Sequence, residues 1–442
     1  MPAGVRLIID TLHRHGYEAY AVGGCVRDCL LHREPEDWDI TTSAWPDEVM
    51  AVFSGKRTIP TGLKHGTVTV LALGGAYEVT TYRIDGAYAD GRHPESVQFT
   101  HELREDLSRR DFTINAMAYN SRDGLVDCFG GGTDLKNRVV RCVGEPEERF
   151  GEDYLRMLRA YRFAAVLDFA MEESMRAACI AFREKISCIS AERIRAEWDK
   201  LLVSGHFHMI ERFLNDYAPV LLPEVYALRG VPQNNPYHYL DVYEHTLQVL
   251  RHTPPTVPMR LTALFHDTGK AAARTTDPKG IDHFYGHPAL SAKIAYDFCI
   301  RMKYDNKTIS TVVDLVNTHD NRRQPKRSSV RRLINSLGEE KAYMNLQIQQ
   351  ADVMGQSQYS QEENLPVLRA CFRFYDEILR DRDACQIKDL AVTGRDVMKA
   401  MGLRPGPEIG RILATLLERV LEDPALNQRE ALIEMMRGMS EY

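Results

Sequence analysis

The alternation that marks β-strands stops near residue 140, and this constrains the fold more than any other feature of the chain. Before that point "DWDITTS" and "GTVTVLALGGAYEVTTYRI" alternate apolar with polar residues and are rich in β-branched side chains, as strands with one buried face require. Gly74 and Gly75 split the longer stretch into two arms and predict a hairpin. From "GEDYLRMLRAYRFAAVL" to the end, the reading is mostly helical. The helices are interrupted by "APVLLPEVYALRGVPQNNP", "TDPKGIDHFYGHP", "NRRQPKRSS" and "GLRPGPEIG". The expected architecture is a mixed α and β head on a long helical body.

A chain of 442 residues is long enough for two to four domains. Its 44% hydrophobic and 27% charged residues are those of a water-soluble globular protein, and no run of 18 apolar residues occurs. "MPAGVRLIIDTLHRHG" reads as a short amphipathic helix rather than a signal peptide. Nine scattered cysteines without a CxxC pair suggest reduced thiols and a cytoplasmic setting. The net charge of −6 neither favours nor excludes nucleic acid, because polyanions bind local basic surface and not an average.

Asp37 and Asp39 flank a single tryptophan in "EDWDITTS". Carboxylates at i and i+2 of a strand point to one face and repel, so a cation between them is expected. Upstream, in "AVGGCVRDCL", a strand ends at Gly23-Gly24 and a helix begins with Arg27 in its first turns. Free N–H groups at a helix start, joined by an arginine, make a phosphate cradle. Phosphate donors beside paired carboxylates suit a magnesium–nucleoside triphosphate, with Glu78 of "YEVTTYR" a candidate third acid. Two Mg2+ ions, clamping the attacking and leaving oxygens, are the arrangement expected for nucleotidyl transfer.

"GGCVRD", "EDWDITTS", "YEVTTYRIDGAYADGRHPESV" and "RRDFTINAMAYN" resemble, in order and spacing, the class II tRNA nucleotidyltransferase and bacterial poly(A) polymerase family. The resemblance implies an α+β chain: a polymerase-β-like head with a mixed sheet over residues 1–140, a helical neck over 141–205, a helical body over 206–360 and a helical, tRNA-binding tail over 361–442. It implies transfer of CMP and AMP from CTP and ATP to a tRNA 3′ end. It makes Asp37 and Asp39 metal ligands, and gives the triphosphate to Gly23, Gly24 and Arg27, with Arg109 or Arg110 also reaching it.

"RFGEDYLRMLRAYRFAA" carries Asp153, Arg156, Arg159 and Arg162 at steps of three. Taken alone these are ordinary helix-surface charges. In the family, however, the EDxxR motif reads the incoming base. Cytosine and adenine both present an exocyclic amine beside an unprotonated ring nitrogen, whereas uracil and guanine present a carbonyl beside a ring N–H. An aspartate acceptor next to an arginine donor fits the first pair, and such a site can reject a mismatched analogue by roughly 10⁴–10⁵. "SAERIRAEWDKLL" resembles the next helical motif, with Glu192, Arg193 and Glu197 bracing the neck. "EVTTYR" and the polar stretch "DGAYADGRHPESV" resemble the full CCA-adding branch, while an A-adding or poly(A) polymerase specialist is the alternative.

A second constellation lies in the body. His245, the adjacent His266-Asp267 pair and Asp352 sit on separate apolar stretches, and imidazole with carboxylate suits a divalent metal that activates water. The set resembles the H…HD…D quartet of HD-superfamily phosphohydrolases, which makes a metal-dependent phosphohydrolase with a nucleotide-binding head the competing class. His283, His287 and His319 are candidates for phosphate or a second metal, and His238 is expected in the core. "RPGPEIG", with Arg404, and the basic run "NRRQPKRSSVRR" are candidate RNA contacts.

Overall fold

The computed structural model describes residues 1–55, 58–86, 96–322 and 324–439. The chain forms two compact units, Met1–Leu222 and Pro223–Tyr442. The first unit therefore contains the expected head and neck and extends past residue 205, through the helix Phe207–Leu221.

In the first unit the strands are β1 (Ala19–Val22), β2 (Asp39–Thr42), β3 (Thr58–Gly62), β4 (Thr67–Ala72), β5 (Gly75–Thr81), β6 (Arg83–Asp85), β7 (Val97–Phe99), β8 (Met117–Asn120) and β9 (Gly124–Asp127). Seven of them make one sheet in the order β3-β4-β5-β2-β1-β8-β9, while β6 and β7 pair separately. The sheet is mixed: β2 and β5 run parallel, and the other neighbours are antiparallel. The hairpin expected at Gly74-Gly75 joins β4 to β5, with Ala72 opposite Gly75. Its two turn residues, Leu73 and Gly74, both have positive φ (48° and 81°), as the favoured two-residue hairpin turn demands.

β1 is buried along its whole length, as befits a strand between two others. The helix Ala3–Arg14 buries Val5, Ile8, Ile9 and Leu12, an apolar stripe at helical spacing, and packs on β1. Past the sheet, the helix Leu155–Leu167 packs against Ala191–Leu202 and Phe207–Leu221. Tyr161, Trp198, Phe213 and Tyr217 interlock there at centroid separations of 5.0–5.5 Å. The buried Tyr161 hydroxyl donates to Asp216 at 2.7 Å, and Arg176 grips the same carboxylate at 2.8 and 2.9 Å. A polar network satisfied in this way fixes one arrangement of the neck helices.

Among its described residues the second unit is helical apart from one short strand pair, Thr275–Thr276 with Asp282–His283. One apolar core joins the helices Arg327–Leu337, Glu339–Met354 and Gln358–Asp381 through Val330, Leu333, Leu346, Leu368 and Tyr375. Another joins Gly394–Met401, Pro407–Glu422 and Arg429–Met439 through Val397, Leu416, Val420 and Leu432. Among the described residues no helix is long and apolar enough to cross a membrane. All nine cysteines are free thiols.

Candidate active site

β1 runs out at Val22, and the chain turns at Gly23 (φ 81°, ψ −128°) into the helix Gly24–Leu30. A side chain at position 23 would be strained, and its Cβ would sit 3.0 Å from the Arg110 guanidinium. Val22 pairs with Asp39, the first residue of β2. The glycine turn and the acid pair are thus neighbours across one ladder. Asp37 lies just before β2 rather than on it, so the two carboxylates come from a strand start and the bend preceding it. They share a cleft of about 770 Å³ with Gly23, Gly24, Arg27, Arg110, Asn115, Arg159 and Arg162. That volume suits a nucleotide-sized ligand.

Partial removal from water raises the Asp39 carboxyl above its usual range; Arg110 opposes the rise and Asp37 adds to it. Two carboxylates so close repel one another, and a divalent cation between them would relieve that repulsion. Glu78 is exposed on β5. It precedes Val79, the partner of Ile40, by the same single step by which Asp39 precedes Ile40, so it sits one strand away on the same face.

The two arginines of "RRDFTINA" part company. Arg109 donates to Asp106 at 2.7 and 3.0 Å and lies 3.6 Å from Asp85, whereas Arg110 borders the cleft. Arg110 also reaches Asp106, at 3.4 Å, so of the two arginines it is the one that both shares this carboxylate and lines the cleft. Arg27 chelates Asp28 at 2.8 and 2.9 Å and donates to the Asn115 amide oxygen at 2.7 Å. Asn115 in turn donates to Asp111 at 3.1 Å, and Asp111 accepts from Arg159 at 2.8 and 2.6 Å. Burial alone would raise Asp111, but Arg159, Asn115 and Arg156 hold it down at about 2. Sequence reasoning passed over Asp111, Asn115 and Phe163. The Phe163 ring carries the guanidinium groups of Arg27, Arg159 and Arg162 at 5.0, 5.5 and 3.8 Å. Apolar spacing marks it only as a core position.

Asp153 and Arg156, expected to read the base, are engaged elsewhere. Asp153 binds Arg193 at 2.9 Å. Arg156, 9% exposed, pairs with Glu152 and donates to the Arg109 carbonyl at 2.9 Å. The neck arginines that face the cleft are Arg159 and Arg162, and Arg162 pairs with the bracing Glu197. Most of the stretch 85–97 expected as a loop (residues 87–95) lies outside the described residues.

In the second unit the four residues expected as a quartet lie together: His245 Nε2 is 2.9 Å from Asp352, and His266 Nε2 is 3.1 Å from Asp267. His287 and His319 join it, at 3.3 and 3.6 Å from the other Asp267 oxygen. His283 instead pairs with Asp277 at 3.1 Å. His238, expected in the core, borders a cleft and packs edge-on to His245 at 4.8 Å. Among the described residues of the basic run, Arg331 is buried on Asp383, Arg327 pairs with Asp381 and Asp383, and Arg332 makes an exposed pair with Glu422. Arg404 is exposed just before Gly406, which precedes the helix Pro407–Glu422.

This fold and this cleft define a nucleotidyltransferase. Residues 19–141 match the poly A polymerase head domain family, 168–228 the RNA- and SrmB-binding site of polymerase A, and 287–436 the tRNA nucleotidyltransferase domain 2 family. The CCA-adding enzyme of Levilactobacillus brevis is 34% identical over 438 residues, 97% of this chain and 96% of that protein. That of Anoxybacillus flavithermus is 51% identical over 219 residues, 48% of this chain and 55% of its own. The crystal structure of the Bacillus stearothermophilus CCA-adding enzyme in complex with CTP matches at a TM-score of 0.71 and 28% identity, covering 100% of this chain and 98% of that one. The chain belongs to the CCA-adding enzyme family.

Proposed function

We propose that the chain builds and repairs the CCA end of tRNA without a template, transferring CMP and AMP from CTP and ATP. What carries this reading is the meeting of the Asp37–Asp39 pair with Gly23, Gly24, Arg27 and Arg110 in one cleft. Asp37 and Asp39 would hold two Mg2+ ions, with Glu78 supporting from the next strand. Bound there, the ions supply Lewis-acid stabilisation of the attacking and leaving oxygens. Arg27 and Arg110 neutralise the triphosphate, and the N–H groups that start the helix Gly24–Leu30 donate to its oxygens. The tRNA 3′ hydroxyl attacks the α-phosphorus, and pyrophosphate leaves.

The neck selects the base. Asp153 accepts from the exocyclic amine and Arg156 donates to the ring nitrogen once each exchanges its present partner for the nucleotide. Arg159 and Arg162 hold the nucleotide from the same helix. The H…HD…D quartet of the second unit holds a divalent ion of its own.

Three tRNA substrates, ending before CCA, after C and after CC, supplied with labelled CTP and ATP, test the main reading. The expected products are CCA, CA and A additions. Addition of A alone on every substrate would replace the reading with an A-adding specialist. No incorporation, alongside metal-dependent release of phosphate, would favour the phosphohydrolase.

A further inference from the structure

We propose that Phe163 is a positioning residue for the incoming nucleotide, a role that rests on the nucleotide reading of the cleft: its ring gathers three arginines there without occupying the N–H groups that a triphosphate needs. Three guanidinium carbons surround the ring, that of Arg27 at 5.0 Å from its centroid, Arg159 at 5.5 Å and Arg162 at 3.8 Å. Each is within the reach at which an aromatic face attracts a cation. All three arginines border the same cleft as the ring, and so do Asp37 and Asp39.

Three cations round one point repel. They lie within about a Debye length of one another at roughly 0.1 M salt, so salt screens them only in part. Each has a carboxylate of its own: Arg27 chelates Asp28 at 2.8 and 2.9 Å, Arg159 reaches Asp111 at 2.8 and 2.6 Å, and Arg162 pairs with Glu197. The repulsion stays visible at Arg162, whose guanidinium burial lowers, Glu197 raises and the charge of Arg159 lowers again. The three carboxylates stand on separate segments of the chain, and each competes with a phosphate for the same N–H groups. The ring does neither. It is one point common to all three cations, and its attraction comes from the π-face and not from an acceptor oxygen. An arginine that exchanges its carboxylate for phosphate therefore keeps a partner.

The placement of the ring suits this task. Phe163 is 6% exposed and lies on the helix Leu155–Leu167, four residues after Arg159 and one after Arg162. Arg27 comes from the helix Gly24–Leu30, so the ring joins the glycine turn to the neck. The fully buried Phe112 meets it at 5.6 Å and 77°, an edge-on contact that fixes its tilt. A residue that only fills the core needs volume. The role proposed needs electron density on the ring face.

The test grades that density at nearly constant shape. Full chains with mono-, di- and trifluorophenylalanine at position 163 are compared with the parent by titration calorimetry with CTP and with ATP, and by incorporation on tRNA lacking its terminal nucleotides. Each fluorine withdraws charge from the face. Kd and KM should rise stepwise for both nucleotides, by roughly twofold per fluorine, with the larger part of the loss in KM and not in kcat. Phe163→Leu should raise KM on the order of tenfold at an unchanged circular dichroism spectrum. A flat fluorine series in a chain that binds and incorporates nucleotide would reduce Phe163 to packing and overturn the proposal alone. A rise for one nucleotide only would set the ring against a base and overturn it as well. A parent chain that neither binds nor incorporates would overturn it together with the nucleotide reading.

Discussion

Arg27 donates to the Asn115 amide oxygen at 2.7 Å although 88 residues separate them in the chain. Asn115 passes the constraint on to Asp111, and Asp111 to Arg159. An arginine of the glycine turn and an arginine of the neck are therefore held in one hydrogen-bonded line along the cleft. Truncating the middle of that line leaves both ends mobile.

Asn115→Ala should accordingly raise the KM for CTP and for ATP together. Loss of a buried hydrogen-bonding partner costs about 1–3 kcal/mol, so an increase of roughly tenfold is expected in steady-state incorporation. A change confined to one nucleotide would place Asn115 with the base and not with the phosphates.

The same line sets an acid limit on stability. Asp111 is lowered from 3.8 to about 2 in the folded chain. Because the folded value lies below the unfolded one, its contribution is complete above about pH 4 and is lost as pH falls through 4 toward 2. A shift of this size corresponds to an energy on the order of 2 kcal/mol. Urea unfolding between pH 5 and 2.5 should show a shallower loss of stability in Asp111→Asn than in the parent. Identical slopes would mean that another carboxylate sets the acid limb.

The ladder pair Val22 and Asp39 ties the glycine turn to the acid pair, so each can be tested through the other. Asp39→Asn keeps shape but removes the charge proposed to hold metal, and should lower kcat by more than about 10²-fold, beyond what loss of an outer-shell partner costs. Extra Mg2+ should restore part of the loss. Gly23→Ala should cost about 1–3 kcal/mol in stability, because alanine resists the positive φ found there. It should also weaken triphosphate binding by displacing Arg110, whose Nη1 lies 3.0 Å from the new Cβ. Unchanged KM values would separate Arg110 from the triphosphate.

What the sequence disclosed about the head follows from how local its signals are. The hairpin, the turn at Gly23 and the acid pair each depend on residues within one short stretch; the hairpin turn falls one residue before the expected Gly74-Gly75, and Asp37 sits just before the strand rather than on it. Other features depend on partners far along the chain. Nothing near Phe163 says that it gathers the guanidinium groups of Arg27 and of two neck arginines, because Arg27 lies more than a hundred residues away. Nor does the basic run 321–332 reveal that Asp383 and Glu422 wait for Arg331 and Arg332. His287 and His319 join the histidine cluster through two different helices, a coincidence that spacing alone does not encode.

Base choice is the sharpest trial of the neck. Asp153 and Arg156 are the groups whose chemistry matches cytosine and adenine, yet both are now held, by Arg193 and by Glu152 with the Arg109 carbonyl. If they exchange partners when nucleotide binds, Asp153→Ala should admit UTP and GTP, narrowing a discrimination of roughly 10⁴–10⁵. Arg159→Ala should instead lower the use of every triphosphate alike, because its guanidinium faces the cleft beside Phe163 and is anchored on Asp111. Competition assays with all four nucleotides read both effects. The opposite outcome, selectivity lost with Arg159 and kept without Asp153, would move base recognition to the arginines stacked on Phe163. The Asp153–Arg193 pair would then be left to its visible task of bracing two neck helices.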